Sequence, residues 1–157
     1  MRLRVMAIGT RMPDWVDAAF NDYWRRMRAM WKLELIELPS AGRRVSGGAA
    51  HAAKSSEARR LLALLGARDF VVTLDEHGMQ KTTVELSQWL EQRRASGKDL
   101  AFIVGGPDGL AEEVLARAHL RWSLSRLTMP HGLVRVVLAE QIYRATTLLA
   151  GHPYHRE

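Results

Sequence analysis

An unbroken run of five apolar residues, Leu100–Val104, leads directly into a glycine-rich turn. A strand that is apolar at every position, instead of at alternate ones, is buried on both faces, as in a parallel sheet covered by helices. A second such run occupies residues 70–74 and is expected to end at Asp75. The chain is therefore constrained to a layered fold with these strands at its centre.

Strand and helix patterns alternate along the rest of the chain. Residues 3–8 predict a first strand, and a helix opens at Pro13 with Trp15, Val16 and Phe20 on its apolar face. The alternation predicts an α/β fold with a largely parallel sheet and helices on both faces, in a single domain over residues 1–157. Further elements are expected at 33–38 (an edge strand), 52–65, from Thr82 or Thr83 to Gly97, and at 132–150.

Ligands of parallel sheets bind beyond the carboxyl ends of the strands. The turn at residues 105–109 lies at such an end, but it lacks the Lys-Ser/Thr ending of a P-loop and the spacing of a dinucleotide fingerprint. A nucleotide hydrolase or a dehydrogenase is therefore not favoured. The simpler interpretation is a strand-to-helix turn in which Asp108 caps the following helix, while its glycines still let the main chain approach a ligand.

Charge and composition narrow the function classes. The chain has 23 Lys and Arg against 17 Asp and Glu, a net charge of +6, which suits a polyanion such as RNA without requiring one. It has no cysteine, which excludes disulfides and thiolate catalysis, and its histidines have no grouped acidic neighbours, so no metal site is predicted. Without a signal peptide or a long apolar segment, we expect a cytoplasmic protein.

Two basic features each have two interpretations. Residues 40–48, rich in glycine with an arginine pair, form either a solvated loop or a loop that orders on RNA phosphates. The helix at 132–150 is apolar on nearly all sides, which indicates a central position or a subunit interface. On it, Glu140 and Arg144 form an ordinary ion pair one turn apart, or Arg135 and Arg144 reach RNA phosphates or a partner's tail.

Several motifs together resemble one known family. The Gly-Gly-Pro-Asp-Gly of 105–109, the Trp-Ser-Leu-Ser of 122–125, the Pro-His of 130–131 and the tail His-Pro-Tyr-His-Arg of 152–156 resemble the RlmH family of ribosomal large-subunit RNA (pseudouridine-N3) methyltransferases, in the SPOUT superfamily. The likeness covers essentially the whole chain. It departs from the family at Asp108, where a glutamate is usual, and at 79–80, where Met-Gln replaces an expected Gly-Lys.

The resemblance implies a deep C-terminal trefoil knot, a homodimer, and S-adenosylmethionine as the methyl donor. The implied reaction is methylation at N3 of a pseudouridine in the helix 69 loop of 23S rRNA, on assembled ribosomes. The implied cofactor residues are Leu74, Gly105, Leu124, Ser125, Arg126, Leu127, Thr128 and Met129.

The resemblance also suggests roles in catalysis and RNA binding. His131 is either a general base or a residue that fixes the turn before the last helix, and Trp122 either stacks on a base or belongs to the core. The tail is expected to reach over the partner's cofactor. The implied catalytic residues are His131, Tyr154 and Arg156, and the implied RNA-binding residues are Arg135, Arg144 and His155. The alternative function is a basic RNA-binding module without catalysis, which would need no cofactor.

Overall fold

The structure, a computed structural model, describes residues 1–41 and 48–156, with the backbone alone at residues 48–50, 155 and 156. Most of the basic loop predicted at 40–48 lies outside the described residues. Within them, none of the helices has the length and hydropathy that crossing a bilayer requires.

Five parallel strands form one sheet in the order β2-β1-β4-β3-β5, which confirms the predicted α/β class with a parallel sheet. The strands are β1 (Arg2–Ile8), β2 (Lys32–Leu38), β3 (Phe70–Gln80), β4 (Leu100–Val104) and β5 (Leu120–Ser123). The helices are α1 (Asp14–Arg26), α2 (Gly48–Ala63), α3 (Thr83–Ala95), α4 (Glu112–Arg117) and α5 (His131–Leu149), followed by a 3₁₀ helix, Pro153–Arg156.

The fully apolar run at β4 is buried at all five positions, as its sequence predicts. Its side chains alternate between two cores. Phe102 points into the core covered by α1, α3 and α5, and Ile103 points into the core covered by α2 and α4. Helices therefore cover both faces of the sheet.

The prediction for the apolar face of the first helix is confirmed at Val16 and Phe20 and wrong at Trp15. Trp15 is 56% exposed, whereas Val16, Phe20 and Trp24 are buried. These three residues are spaced four apart and form one stripe, which leaves Trp15 beside it on the solvent side.

Strand β3 is longer than predicted, because it does not end at Asp75. Leu74 and Met79 both pair with Trp122 on β5, so the intervening residues bulge out of the ladder and β3 resumes as far as Gln80. The two strands approach each other closely at Gly78, in the bulge of β3 (residues 75–78). A Cβ at Gly78 would lie 2.7 Å from the carbonyl carbon of Arg121.

The predicted cap by Asp108 is wrong. Helix α4 begins after Ala111 and has no side-chain cap. The preceding glycines instead close a tight turn of their own, with the N–H of Gly109 donating to the carbonyl of Gly106 (3.0 Å). This turn uses the intervening residues, so Asp108 comes too early in the chain to reach the helix.

Candidate active site

A cavity of about 920 Å³ opens at the carboxyl ends of β3, β4 and β5. Its walls come mainly from residues 74–77 on β3, from 104–110 after β4 and from the segment between Trp122 and His131. This is the end of a parallel sheet where ligands bind, and the volume is typical of a small-molecule site.

The wall after β4 is formed largely by main chain, because two of its glycines, Gly105 and Gly106, have little room for side chains. A Cβ at Gly105 would lie 3.1 Å from the carbonyl carbon of Gly109, and one at Gly106 would lie 3.1 Å from Cγ2 of Ile8. Gly109 has a φ of +75°, which favours glycine. A ligand in the cavity would therefore meet backbone N–H and C=O groups along this wall.

The segment between β5 and α5 is shaped by its own serines. The hydroxyl of Ser123 donates to the carbonyl of Ser125 (2.8 Å), and the N–H of Leu127 donates to the hydroxyl of Ser125 (3.0 Å). The Leu127 side chain is 76% exposed beside the cavity. An exposed leucine at a cavity mouth is well placed to cover the apolar part of a ligand.

The bulge of β3 places two carboxylates on the rim of the cavity, one of them paired with an arginine. Asp75 accepts hydrogen bonds from Nε (2.8 Å) and Nη2 (2.5 Å) of Arg121 and from the N–H of His77 (3.1 Å). Burial acts to raise the pKa of Asp75, but these bonds outweigh it and hold the pKa below its ordinary value. Glu76 accepts a hydrogen bond from the hydroxyl of Thr128 (3.1 Å), which links the bulge to the segment before α5.

The first turn of α5 completes the wall. His131 and Val134 line the cavity, while Gly132 packs against α1, since a Cβ there would lie 3.2 Å from Cγ2 of Val16. A Cβ at Gly9, just after β1, would lie 3.8 Å from Nε2 of His131. His131 thus stands between the cavity and the end of β1.

The structure brings together nearly all the cofactor residues that the resemblance implied. Arg126 is the exception, because it does not line the cavity. The sequence analysis did not identify four residues that line the cavity: Lys54, Glu76, His77 and Val134. Glu76 and His77 follow a predicted strand end and could have been found by that rule, whereas Lys54 comes from α2 and left no signal. The implied residues that do line the cavity are Leu74, Gly105, Leu124, Ser125, Leu127, Thr128 and Met129, together with His131.

None of the described side chains of the C-terminal tail, His152 to Tyr154, lines this cavity. The Tyr154 ring packs 4.7 Å from that of Tyr143 and 4.8 Å from Cζ of Arg144, and its hydroxyl donates to Glu140 (3.3 Å). Burial, and then a hydrogen bond with Tyr23, raises the pKa of Tyr154, so it stays protonated at neutral pH. The side chains of His155 and Arg156 lie outside the described residues.

The two arginines of α5 differ in their surroundings. Arg144 forms the simple ion pair with Glu140 (2.8 Å), and its side chain is partly exposed. Arg135 is buried and bonds within the chain, so its predicted RNA contact finds no support in the described residues.

Trp122, 3% exposed and packed on Phe102, belongs to the core.

The part of the chain described contains no group of three or more His, Cys, Asp or Glu side chains arranged for a metal ion. Fold and cavity together define an α/β protein with a cavity of small-molecule size at the carboxyl ends of parallel strands, against the main chain of a glycine turn.

Comparisons with known proteins narrow that class. The family model described as "Predicted SPOUT methyltransferase" matches residues 1–155. "Ribosomal RNA large subunit methyltransferase H" of Hahella chejuensis is 50% identical over 157 residues, covering 100% of both chains. The protein of that name from Thioalkalivibrio sulfidiphilus is 51% identical over 158 residues, again covering 100% of both chains. The chain therefore belongs to the SPOUT methyltransferase family and, within it, to the family of these methyltransferases H, as its motifs predicted.

A solved structure, of a "probable methylase family protein from Haemophilus influenzae Rd KW20", superposes with a TM-score of 0.53 at 14% identity. The match covers 97% of this chain and 69% of that one. At this identity the likeness extends to the fold alone.

Proposed function

We propose that the chain transfers a methyl group from S-adenosylmethionine to N3 of a pseudouridine in the helix 69 loop of 23S rRNA, on assembled ribosomes. The observation that carries the proposal is the cavity at the carboxyl ends of β3, β4 and β5. Seven of the residues expected to hold the donor line it together with His131. The names of the relatives support ribosomal RNA as the substrate.

The residues present fit such a donor. When bound, S-adenosylmethionine supplies a methyl group activated by a positively charged sulfonium. The carboxylate of Glu76 gives the rim negative charge that matches it, whereas the carboxylate of Asp75 is paired with Arg121. Leu124, Leu127 and Met129 supply an apolar wall, and the glycine turn admits close contact with main chain.

His131 is the residue we assign to the target base. N3 of a pseudouridine carries a weakly acidic imide proton that must leave when the nitrogen attacks the methyl group. An imidazole on the cavity wall has a suitable intrinsic pKa to accept it. The remaining task of the wall is alignment, since holding the reacting atoms in line lowers the barrier without further chemistry.

We further propose a homodimer in which the tail of each chain serves the other's cavity. Glu140, the anchor of Tyr154, lies nine residues along α5 from His131, or about 13 Å at 1.5 Å per residue. The Tyr154 ring held there does not line its own cavity, and in the proposed dimer Arg156 and His155 of each chain act at the partner's cavity. Half-buried apolar side chains of α5 offer a surface for the partner: Leu133, Val136, Val137 and Leu148.

The C-terminal knot of the family is also part of the proposal. The chain leaves β5 at one edge of the sheet, yet α5 packs against α1 and β4, so it crosses back over the strands. A crossing of this kind is compatible with threading through the segment after β4. An experimental structure in which the C-terminal segment does not pass through a loop formed by the rest of the backbone would refute the knot.

Mass-spectrometric mapping of modified pseudouridine in ribosomes tests the reaction. Ribosomes from cells lacking this protein should carry an unmethylated pseudouridine that becomes methylated when purified protein and S-adenosylmethionine are added. Omitting the donor is the control. Calorimetry of the protein with S-adenosylmethionine separates the alternative, because a plain RNA-binding module would bind ribosomes but give no heat with the donor.

A further inference from the structure

Arg135 is buried in the first part of α5, one turn after His131, and is 2% exposed. Its guanidinium donates to the carboxylate of Glu37 (2.5 Å) and to the carbonyls of Ile8 (3.1 Å) and Gly9 (2.6 Å). One side chain thus ties α5 to the carboxyl ends of both β1 and β2.

These bonds hold the main chain directly behind the cavity wall. The N–H of Gly9 also donates to the carbonyl of Leu38 (2.7 Å), so the ends of β1 and β2 are joined at the same point. A Cβ at Gly9 would lie 3.4 Å from Nη2 of Arg135 and 3.8 Å from Nε2 of His131. Arg135 and His131 therefore pack against one short piece of backbone.

Burying a guanidinium costs more free energy of desolvation than burying an apolar side chain of similar volume. Apolar residues of similar volume often replace buried ion pairs without loss of stability, whereas a planar guanidinium fixes several acceptors in one geometry. Nε of Arg135 has no hydrogen-bond partner among the described atoms, so the side chain is not placed to satisfy its own donors fully. Its position instead provides hydrogen bonds to the acceptors at the ends of β1 and β2.

We infer that Arg135 is a positioning residue, which fixes the first turn of α5 and with it His131 and Met129 on the wall of the cavity. The inference rests on the proposed function for its link to catalysis. Arg135 acts through the ends of β1 and β2, and it does not touch substrate or donor.

The structure offers a matched control at the opposite end of β1. Arg4 is also buried, and it donates to Asp69 (2.8 Å), Glu34 (3.0 Å) and the carbonyl of Leu64 (2.9 Å). The two arginines make similar networks on the same strand, but Arg4 lies at the amino end, away from the cavity. A purely structural role predicts the same behaviour for both.

The test compares Arg135→Met with Arg4→Met in methyl transfer to ribosomes, with rates corrected for the folded fraction. Arg135→Met should lower kcat by about 100-fold, the loss that a displacement of about 1 Å can cause, with a much smaller change in KM for ribosomes. Arg4→Met should keep the kcat of the unaltered chain while losing stability. Equal kcat values for the two variants would overturn the inference.

A second readout needs no turnover. Hydrogen exchange measured by mass spectrometry should show faster exchange in peptides covering residues 129–138 of Arg135→Met, but not of Arg4→Met. If Arg135→Met fails to fold, Arg135→Lys keeps the charge and loses the planar fork, and it should give the same two effects more weakly. Unchanged exchange in the Arg135 variants contradicts positioning. If the unaltered chain itself methylates no ribosomal RNA, the proposed function fails, and exchange still decides the inference.

Discussion

At Gly78, on the bulge of β3, the main chains of two neighbouring strands come closer than a side chain would allow. A Cβ there would lie 2.7 Å from the carbonyl carbon and oxygen of Arg121 and 2.8 Å from the carbonyl carbon of Trp122. Main-chain atoms cannot move aside as a flexible side chain can. Glycine at this position is thus a condition for the bulge that forms the rim of the cavity.

Gly78→Ala should push β3 away from β5 and destabilise the protein by about 2 to 3 kcal/mol, the scale of a strained overpacked site. The affinity for S-adenosylmethionine should fall with it, because the bulge of β3 forms the rim. Urea unfolding and calorimetry measure the two effects. Gly66→Ala is the control, since a Cβ there would be in ordinary contact, 3.5 Å from the carboxylate of Asp69. Equal stability of the two variants would contradict the prediction.

His119 gives the stability a defined pH dependence. Nδ1 of its ring accepts the N–H of Val71 (3.0 Å), and the ring stacks on Phe70 at 4.8 Å. Burial, and then the charges of Arg117 and Lys98, lowers the pKa of His119 from 6.5. The folded state therefore binds fewer protons than the unfolded state, and the stabilisation is present above about pH 6.5 and lost as pH falls through the folded pKa.

His119→Asn checks this sign, because its amide oxygen can accept the same hydrogen bond without titrating. The free energy of unfolding of the original chain, relative to the variant, should fall between pH 7.5 and pH 5. Denaturant unfolding at several pH values measures it. Parallel curves for the two chains would show that His119 does not contribute.

At the scale of elements, the buried strands and the cap of α3 followed from local sequence, whereas the start of α4 and the long-range pairing did not. The apolar runs predicted β3 and β4, and Thr82 was one of two expected caps for α3. The bulge of β3 could not be predicted, because it exists only where Leu74 and Met79 pair with the same residue of β5. For the site, the strand-end rule and the family motifs located most of the cavity wall, whereas Lys54 depends on how α2 packs.

Helix α3 provides a prediction at this scale. The Thr82 hydroxyl accepts the N–H of Glu85 (3.2 Å), and the Glu85 carboxylate accepts the N–H of Thr82 (2.7 Å). Thr82→Ala should cost about 1 kcal/mol of stability, as loss of an N-cap usually does, and leave methyl transfer unchanged. Thr82→Ser, which keeps the hydroxyl, should restore most of it in thermal unfolding. If Thr82→Ala left the stability unchanged, packing of Leu86 and Leu90 alone would determine where the helix starts.

At the scale of the whole molecule, the position of the C-terminal tail bears on whether a site is completed by one chain or by two. After Gly151, which has a φ of +66°, the chain turns back and the N–H of His152 donates to the carbonyl of Thr147 (2.9 Å). Tyr154 then packs on α5 at a distance from the cavity of its own chain. A tail fixed in this way fits the proposed service to a partner.

Mixed dimers test that arrangement. One chain carries His131→Ala with an intact tail, and the other ends at Gly151 with His131 intact; each alone should be inactive. If the tail acts on the partner, the mixed dimer should regain about half the activity of the original protein, because one of its two sites is complete. If the tail acts within its own chain, the mixture should stay inactive. Calorimetry should show that the shortened chain still binds S-adenosylmethionine.

The strand order also determines when the protein can fold during its own synthesis. β1 and β3 are not neighbours, since β4 lies between them and pairs with both. Until Leu100–Val104 has left the ribosomal exit tunnel, β1 can pair only with β2, and β3 has no neighbour from the earlier part of the chain. Such distant pairings are slow to form. We therefore expect the sheet to assemble only after β4 has emerged from the tunnel and can pair with both β1 and β3.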